Sequence, residues 1–504
     1  MSPLVLPNDI YNQQLVQHVH PLDWINPQPA SRYHLVVIGA GTAGLVTAMG
    51  AAGLGAKVAL VERHLMGGDC LNFGCVPSKA LLRAARAAAS VKNAAQFGVQ
   101  VPGGVQIDFG DVMQRLRRLR AGISRHDSAE RFRQAGIDVF IGSARFESSN
   151  TISVGDARLK FKKAVIATGA RPVVPTIPGI VETGFLTNET VFSLTELPRR
   201  LAVIGAGPIG CELAQAFARL GSRVCLFEPS DHVLKREDAD AAAIVQNALL
   251  RDGIELLTHA TISGVSKADA GKLVTFQQHG QSRQIEVNEV LIGAGRAPNI
   301  DGLNLEGVGV QSDSQRGVQV NDFLRTTNPH IYAAGDVCSA FKFTHSADFQ
   351  ARIVIRNSLF LGRAKNSSLT IPWCTYTEPE IAHVGLSEQE ATARGIAITT
   401  LIQPLSGVDR AVLDGEDDGF VKVHLKAGTD QILGATIVAA HAGDMISELS
   451  VAMVNGIGLG KLANVIHPYP TQAEAIRKLG DAYNRTRLTP FVKRLFATWL
   501  KWSL

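Results

Sequence analysis

Apolar and polar positions along the chain fall twice into the same arrangement. After Tyr33 the segment HLVVIGAGTAGLVTAMGAAGLGAKVALVE runs from an apolar stretch through a glycine turn and a small-residue stretch to a second apolar run. All of this fits within about 30 residues and predicts strand, helix and strand. From Arg200 the segment RLAVIGAGPIGCELAQAFARLGSRVCLFE repeats the pattern. An Arg-rich helical stretch (about 79–135) and short strands ending at KKAVIATGARPVVP separate the copies. Further strands lead to EVLIGAGRAPN, strand and turn signals resume in GVQVNDFLRTTNPHIYAAGDV, and about 366–475 reads as strands followed by helices. Residues 1 to about 31 carry five prolines and no clear period, so they read as an extension that drapes over a domain or stays mobile. Boundaries fall near 175, 296 and 365.

Composition narrows the class. The chain has 504 residues, 46% hydrophobic and 19% charged, which excludes disordered and coiled-coil readings. The net charge of +5 is not gathered into long runs, so nucleic acid is not an expected partner and small molecules are. Six cysteines are too few for a disulfide-built secreted scaffold. No basic segment followed by an apolar run opens the chain, and no apolar stretch reaches ~18 residues, so a cytoplasmic protein without a membrane span is expected.

Each glycine turn has the layout of a dinucleotide fingerprint. Gly39, Gly41 and Gly44 follow a predicted strand and open a helix, and Glu62 ends the next strand 18 residues after Gly44. Gly39 permits the tight turn, Gly41 lets backbone N–H groups reach a pyrophosphate at the helix N-terminus, and Gly44 allows close packing. Glu62 is placed to accept from ribose hydroxyls. Gly205, Gly207, Gly210 and Glu228 repeat this spacing, so two dinucleotides are implied. Glu228 favours a free ribose diol, and hence NADH over NADPH, with Arg223, Lys235 and Arg236 near enough to modify that choice.

Directly after the first unit come Cys70 and Cys75, in Gly-Asp-Cys-Leu-Asn-Phe-Gly-Cys-Val-Pro-Ser-Lys (68–79), and a helix rich in Ala, Leu and Arg. No second pair of ligands accompanies them, so no metal site is expected. Pro77 suits a first helical turn and puts Cys75 at its positive end, where a thiolate is stabilised. The pair reads as a redox-active dithiol and disulfide beside a redox cofactor, with a structural disulfide as the alternative.

The string GGDCLNFGCVPSK resembles the GGTCxNxGCVPSK signature of the FAD-dependent pyridine nucleotide-disulfide oxidoreductases, the family of dihydrolipoamide dehydrogenase, glutathione reductase and mercuric reductase. Further matching motifs are Ala167 to Pro172, Gly295 to Asn299 and Tyr332 to Asp336, and the resemblance covers about 33–490. It implies an α/β fold with two Rossmann-like dinucleotide-binding domains, for FAD and NAD(P), and a C-terminal α/β dimerisation domain in a homodimer. The expected division is an extension (1–31), the first part of the FAD domain (32–175), the NAD(P) domain (176–295), a return to the FAD domain (296–365), the dimerisation domain (366–488) and an amphipathic C-terminal helix (489–504). The first turn with Glu62 would hold FAD. Thr168 and Gly169 would link the two domains, and Asp336 would bind the ribityl chain. The second turn with Glu228 would hold the nicotinamide cofactor, with Gly295 nearby. The resemblance also implies that Lys79 lies near the flavin, paired with Glu212, and that electrons pass from NAD(P)H through flavin to a Cys70–Cys75 disulfide. Cys75 would then face the flavin and Cys70 attack substrate.

One catalytic element departs from the disulfide reductases, whose histidine precedes Pro-Thr and a glutamate. Counting back from Pro470-Thr471 puts Tyr469 in that acid/base position, five before Glu474. A phenol near pKa ~10 is a poor proton shuttle beside an imidazole near 6.5. His467 is two residues displaced and is the alternative acid/base. Pro-Tyr-x-Thr here is similar to mercuric reductases, so a thiol-bound metal ion joins small disulfides as a candidate substrate. The vicinal C-terminal cysteines of mercuric reductases are absent, since the last cysteine is Cys374. In the tail, Phe491, Val492, Leu495, Phe496, Trp499, Leu500 and Trp502 share one face opposite Lys493, Arg494 and Lys501, for packing on the dimer or for contact with a membrane surface. A redox-sensing, membrane-surface flavoprotein with slow turnover is therefore a further reading. The basic helix around Arg115–Arg125 reads as a solvated face.

Overall fold

A computed structural model describes residues 5–504, so the first four residues of the expected extension lie outside the described residues. Contacts divide the chain into two compact units, one of residues up to Gly205 with Ala216–Phe227 and Thr261–Leu369, the other of Ala206–Gln215, Glu228–Ala260 and Thr370–Leu504.

The first unit is built on a seven-stranded sheet. Tyr33–Ile38 lies at its centre, parallel to Val58–Glu62 on one side and to Ala157–Ile166 on the other, and Asp138–Ile141 and Ile331–Ala333 extend the parallel part. Central strands such as LVVI and VALV are buried on both faces, as near-continuous apolar runs require. The helix Thr42–Gly53 covers one face with small residues, as the pattern predicts. Arg200–Ile204 begins the second copy, parallel to Arg223–Phe227 and to Glu289–Ile292. Ala170–Pro172 and Arg296–Pro298 form a two-stranded antiparallel ribbon. The Thr168 hydroxyl donates to the Asn299 carbonyl at 2.6 Å, and the Asn299 amide donates back to the Thr168 carbonyl at 3.0 Å. The two linking motifs thus clasp each other.

The N-terminal extension lies over a domain, one of the two forms expected of it, but it is not simply an irregular drape. Ile10–Val19 is a helix capped by Asp9, and Leu15 and Val19 are fully buried in the core around Leu35 and Leu60. The basic helix Phe109–Ile123 is likewise not simply a solvated face. Arg117 and Arg120 are buried; Arg117 pairs with Asp9 at 2.5 Å, and Arg120 donates to the Asn12 side chain at 2.6 Å and to the Asn72 carbonyl at 2.7 Å. A buried guanidinium persists only with such partners. The extension is therefore tied, through Arg120, to the loop between the two cysteines.

In the second unit, five strands form an antiparallel sheet in the order Trp373–Thr375, Glu380–Gly385, Ile432–Ala439, Phe420–Lys426, Ile398–Pro404. Ala442–Val454 and Glu474–Thr486 pack on it through Ile446, Leu449, Ile476 and Leu479. Buried Lys422 pairs with Asp238 and Asp240, both at 2.7 Å. The final helix, Pro490–Trp502, buries none of its residues. Among the described residues no helix is long and apolar enough to cross a membrane.

Candidate active site

The first glycine turn is fixed by backbone sterics. Gly39 has φ +98°, and a Cβ there would lie 2.4 Å from the Ala167 carbonyl oxygen. A Cβ on Gly44 would lie 1.8 Å from the Gly39 oxygen. Gly41 starts the helix Thr42–Gly53 without a side-chain cap, so its first N–H groups keep the positive end of the helix dipole unmasked. The Gly68 backbone approaches Gly41 so closely that a Cβ on Gly68 would meet the Gly41 Cα at 2.6 Å. These side-chain-free elements fit the pyrophosphate of a dinucleotide.

Glu62 does more than the spacing suggests. Its carboxylate accepts from the N–H of Ala40 at 2.7 Å and from that of His64 at 2.8 Å, bracing the turn from below. Burial pushes its carboxyl up from the ordinary value while these donors pull it down. Glu228 mirrors it, accepting from Ala206 at 3.0 Å and Ser230 at 2.9 Å. Each acid therefore sets the shape of its loop.

Cys75 is the first residue of the helix Cys75–Lys92, with Pro77 in the first turn, as its sequence predicts. Both cysteines are free thiols in this structure. The Cys75 thiol is pulled down to about 6. A hydrogen bond from Cys70 is the largest cause; burial opposes it, and the Thr344 hydroxyl, at 3.5 Å, and the Lys79 ammonium one turn along add to it. Sharing that proton and its own burial drive Cys70 far up. The two thiols are thus differentiated, one poised as a thiolate and one as its proton donor.

Residues not singled out by sequence complete the surroundings. Asp69 stands where the family signature has threonine; its carboxylate accepts from the Asn188 amide at 2.9 Å and lies 3.3 Å from Arg296. Arg296 also lies 3.7 Å from Asp336 and donates to the Ala170 carbonyl at 2.9 Å. Burial raises the Asp336 carboxyl, with Arg296 acting against it. The Asp69 substitution was visible in the motif, whereas Thr344, 269 residues from Cys75, left no sequence signal. Gly169 and Gly295 both have positive φ, +68° and +112°, at the ends of the linking ribbon. Around Gly207 and Gly210 the helix Pro208–Leu220 carries Glu212, which is buried and accepts from the N–H of Tyr376 at 2.9 Å.

In the second unit the departing element is now visible. His467 bonds the Glu448 carboxylate at 3.0 and 3.1 Å through Nε2, and its Nδ1 contacts the Val465 carbonyl. Glu474 is paired with Arg477 at 2.5 Å. The histidine and the glutamate of the motif therefore have separate partners. Tyr469 is 71% exposed and donates to Asp409 at 2.9 Å, a hydrogen bond that raises the phenol further above its ordinary value. Among the described residues no group of three His, Cys, Asp or Glu side chains is arranged to hold a metal ion.

Residues 33–351 match the model of the pyridine nucleotide-disulphide oxidoreductases, and residues 371–479 match the dimerisation domain of that family. The chain belongs to this family. It is therefore an FAD-dependent oxidoreductase that uses NAD(P)H. It is 36% identical to a mercuric reductase of Staphylococcus aureus over 88% of this chain and 81% of that one. It is 34% identical to a dihydrolipoyl dehydrogenase of Mycoplasma pneumoniae over 88% of this chain and 97% of that one. Among solved structures, a Cu(II) complex of the HOCl-induced flavoprotein disulfide reductase RclA from Escherichia coli superposes with a TM-score of 0.78 at 28% identity, covering 88% and 98% of the two chains. Identity is thus nearly equal to enzymes of different substrates, so flavoprotein disulfide reductase chemistry is common ground and the substrate is a separate question.

Proposed function

We propose that this chain is an NADH-preferring, FAD-dependent reductase, homodimeric and cytoplasmic, that passes electrons through Cys70 and Cys75 to a thiol-bound soft metal ion, as mercuric reductases do. The reading includes the domain division given above, the pairing of Lys79 with Glu212 and the preference of Glu228 for a free ribose diol. Bound FAD supplies the two-electron link between nicotinamide and thiols. The protein's own contribution is to hold Cys75 ionised through Cys70, Thr344 and Lys79, and to present two sulfurs that suit a soft ion.

The observation that carries the metal-ion reading is Tyr469. Its proton is held by Asp409, and its pKa moves away from neutrality, so it fits a neutral oxygen contact better than a proton shuttle. His467, committed to Glu448, is a weak candidate to replace it. The second reading, a dihydrolipoamide dehydrogenase-type or other small-disulfide reductase, is supported by the 34% identity to a dihydrolipoyl dehydrogenase over 88% of this chain.

The test is anaerobic oxidation of NADH and NADPH with mercuric ion in excess thiol, set against oxidised lipoamide and glutathione disulfide. Metal-dependent kcat/KM is expected to exceed disulfide turnover by about tenfold or more, and Tyr469→Phe should lower only the former, by roughly tenfold for one lost interaction. Disulfide turnover with no metal response would make the chain a thiol-disulfide enzyme with an altered proton donor.

A further inference from the structure

The helix Pro490–Trp502 begins sharply, with Thr489 accepting from the Val492 N–H and Pro490 in the first turn. At 100° per residue, Phe491, Val492, Leu495, Phe496, Trp499, Leu500 and Trp502 fill one half of its circumference, and Lys493, Arg494 and Lys501 lie in the other. The described residues leave most of the apolar half uncovered: Leu495 is 57% exposed, Trp499 70% and Trp502 85%. The segment also lies beyond residue 479, where the match to the family's dimerisation domain ends. From Arg485 onward the chain carries Arg485, Arg487, Lys493, Arg494 and Lys501 and no acidic residue.

We propose that this helix is a membrane-surface anchor that lies flat on an anionic lipid bilayer. The charge pattern selects that occupant. The basic half faces anionic headgroups while Phe491, Leu495 and Trp499 enter the acyl boundary, and tryptophan side chains suit that interface because one edge is polar and the body apolar. Thirteen helical residues span only about 20 Å, short of the ~30 Å hydrocarbon core, so the helix rests on the membrane and does not cross it. The reductase would thereby work at the membrane face. The inference rests on the second unit alone and is independent of which substrate the dithiol reduces.

The test uses the full-length, FAD-loaded protein in flotation with phosphatidylcholine vesicles, with and without phosphatidylglycerol. The intact protein should float with the anionic vesicles and not with neutral ones. Each Lys or Arg near an anionic surface strengthens binding about fivefold, so the combined charge reversal Lys493→Glu, Arg494→Glu and Lys501→Glu should weaken it by ~100-fold or more. Leu495→Glu with Trp499→Glu should abolish flotation while leaving molar mass by light scattering and NADH oxidation unchanged. Failure of the intact protein to float with anionic vesicles would overturn the proposal. So would a fall in molar mass in the Leu495→Glu, Trp499→Glu variant, which would show that a second copy of the chain covers this face.

Discussion

Cys75→Ser is expected to bind FAD normally and to lose turnover with every thiol or metal substrate by at least ~10³-fold, the scale seen when a group that acts as half of a unit is removed. The reason is local. Cys75 opens its helix, takes hydrogen bonds from Cys70 and Thr344, and has Lys79 one turn away, so it holds the negative charge of the pair. A serine hydroxyl ionises far too high to take that charge and cannot form a disulfide. Flavin content, read from the visible absorbance of the purified protein, separates this from misfolding. A variant that keeps both its flavin and its turnover would remove Cys75 from the relay.

Gly44→Ala should give a protein with little or no bound flavin. Its Cβ would stand 1.8 Å from the Gly39 carbonyl oxygen, and no side chain can move aside to relieve a clash with backbone. Either the helix Thr42–Gly53 shifts away from the turn or Gly39 leaves its conformation at φ +98°; in both cases the N–H groups at the helix start no longer converge. A loss of about 100-fold or more in FAD affinity is expected, read as the ratio of flavin to protein absorbance after purification. Full flavin content with unchanged affinity would mean that this turn does not hold the dinucleotide.

Both predictions rest on features written in short stretches of sequence. The two strand–helix–strand units, their glycine turns and the cysteine pair at a helix start are local patterns, because backbone sterics and helix periodicity act over a few residues. Glu62 and Glu228 were also locatable by spacing. Their hydrogen bonds to the turns they follow were not, since those depend on how the strand end curls under the loop. Side chains brought together by the fold were less legible still. Arg296 reaches Asp69 across more than 200 residues, and Thr344 reaches Cys75 across 269. The N-terminal helix was hidden by the prolines on either side of it, and the burial of Arg117 and Arg120 was hidden because an arginine-rich helix reads as solvated until Asp9, Asn12 and Asn72 are seen to surround it. His467 shows the converse, a residue prominent in its motif whose ring is turned to Glu448.

The most direct test of the account is an anaerobic reductive titration of the purified, oxidised enzyme, followed by visible absorbance. A flavin and a redox-active disulfide together take up about four electrons per FAD, and a long-wavelength thiolate band should grow in over the first two. Because the Cys75 pKa is lowered to about 6, the thiolate persists at neutral pH; the band should be complete well above that value and fade as pH falls through it. Uptake of only about two electrons, with no such band at any pH, would contradict a relay through Cys70 and Cys75.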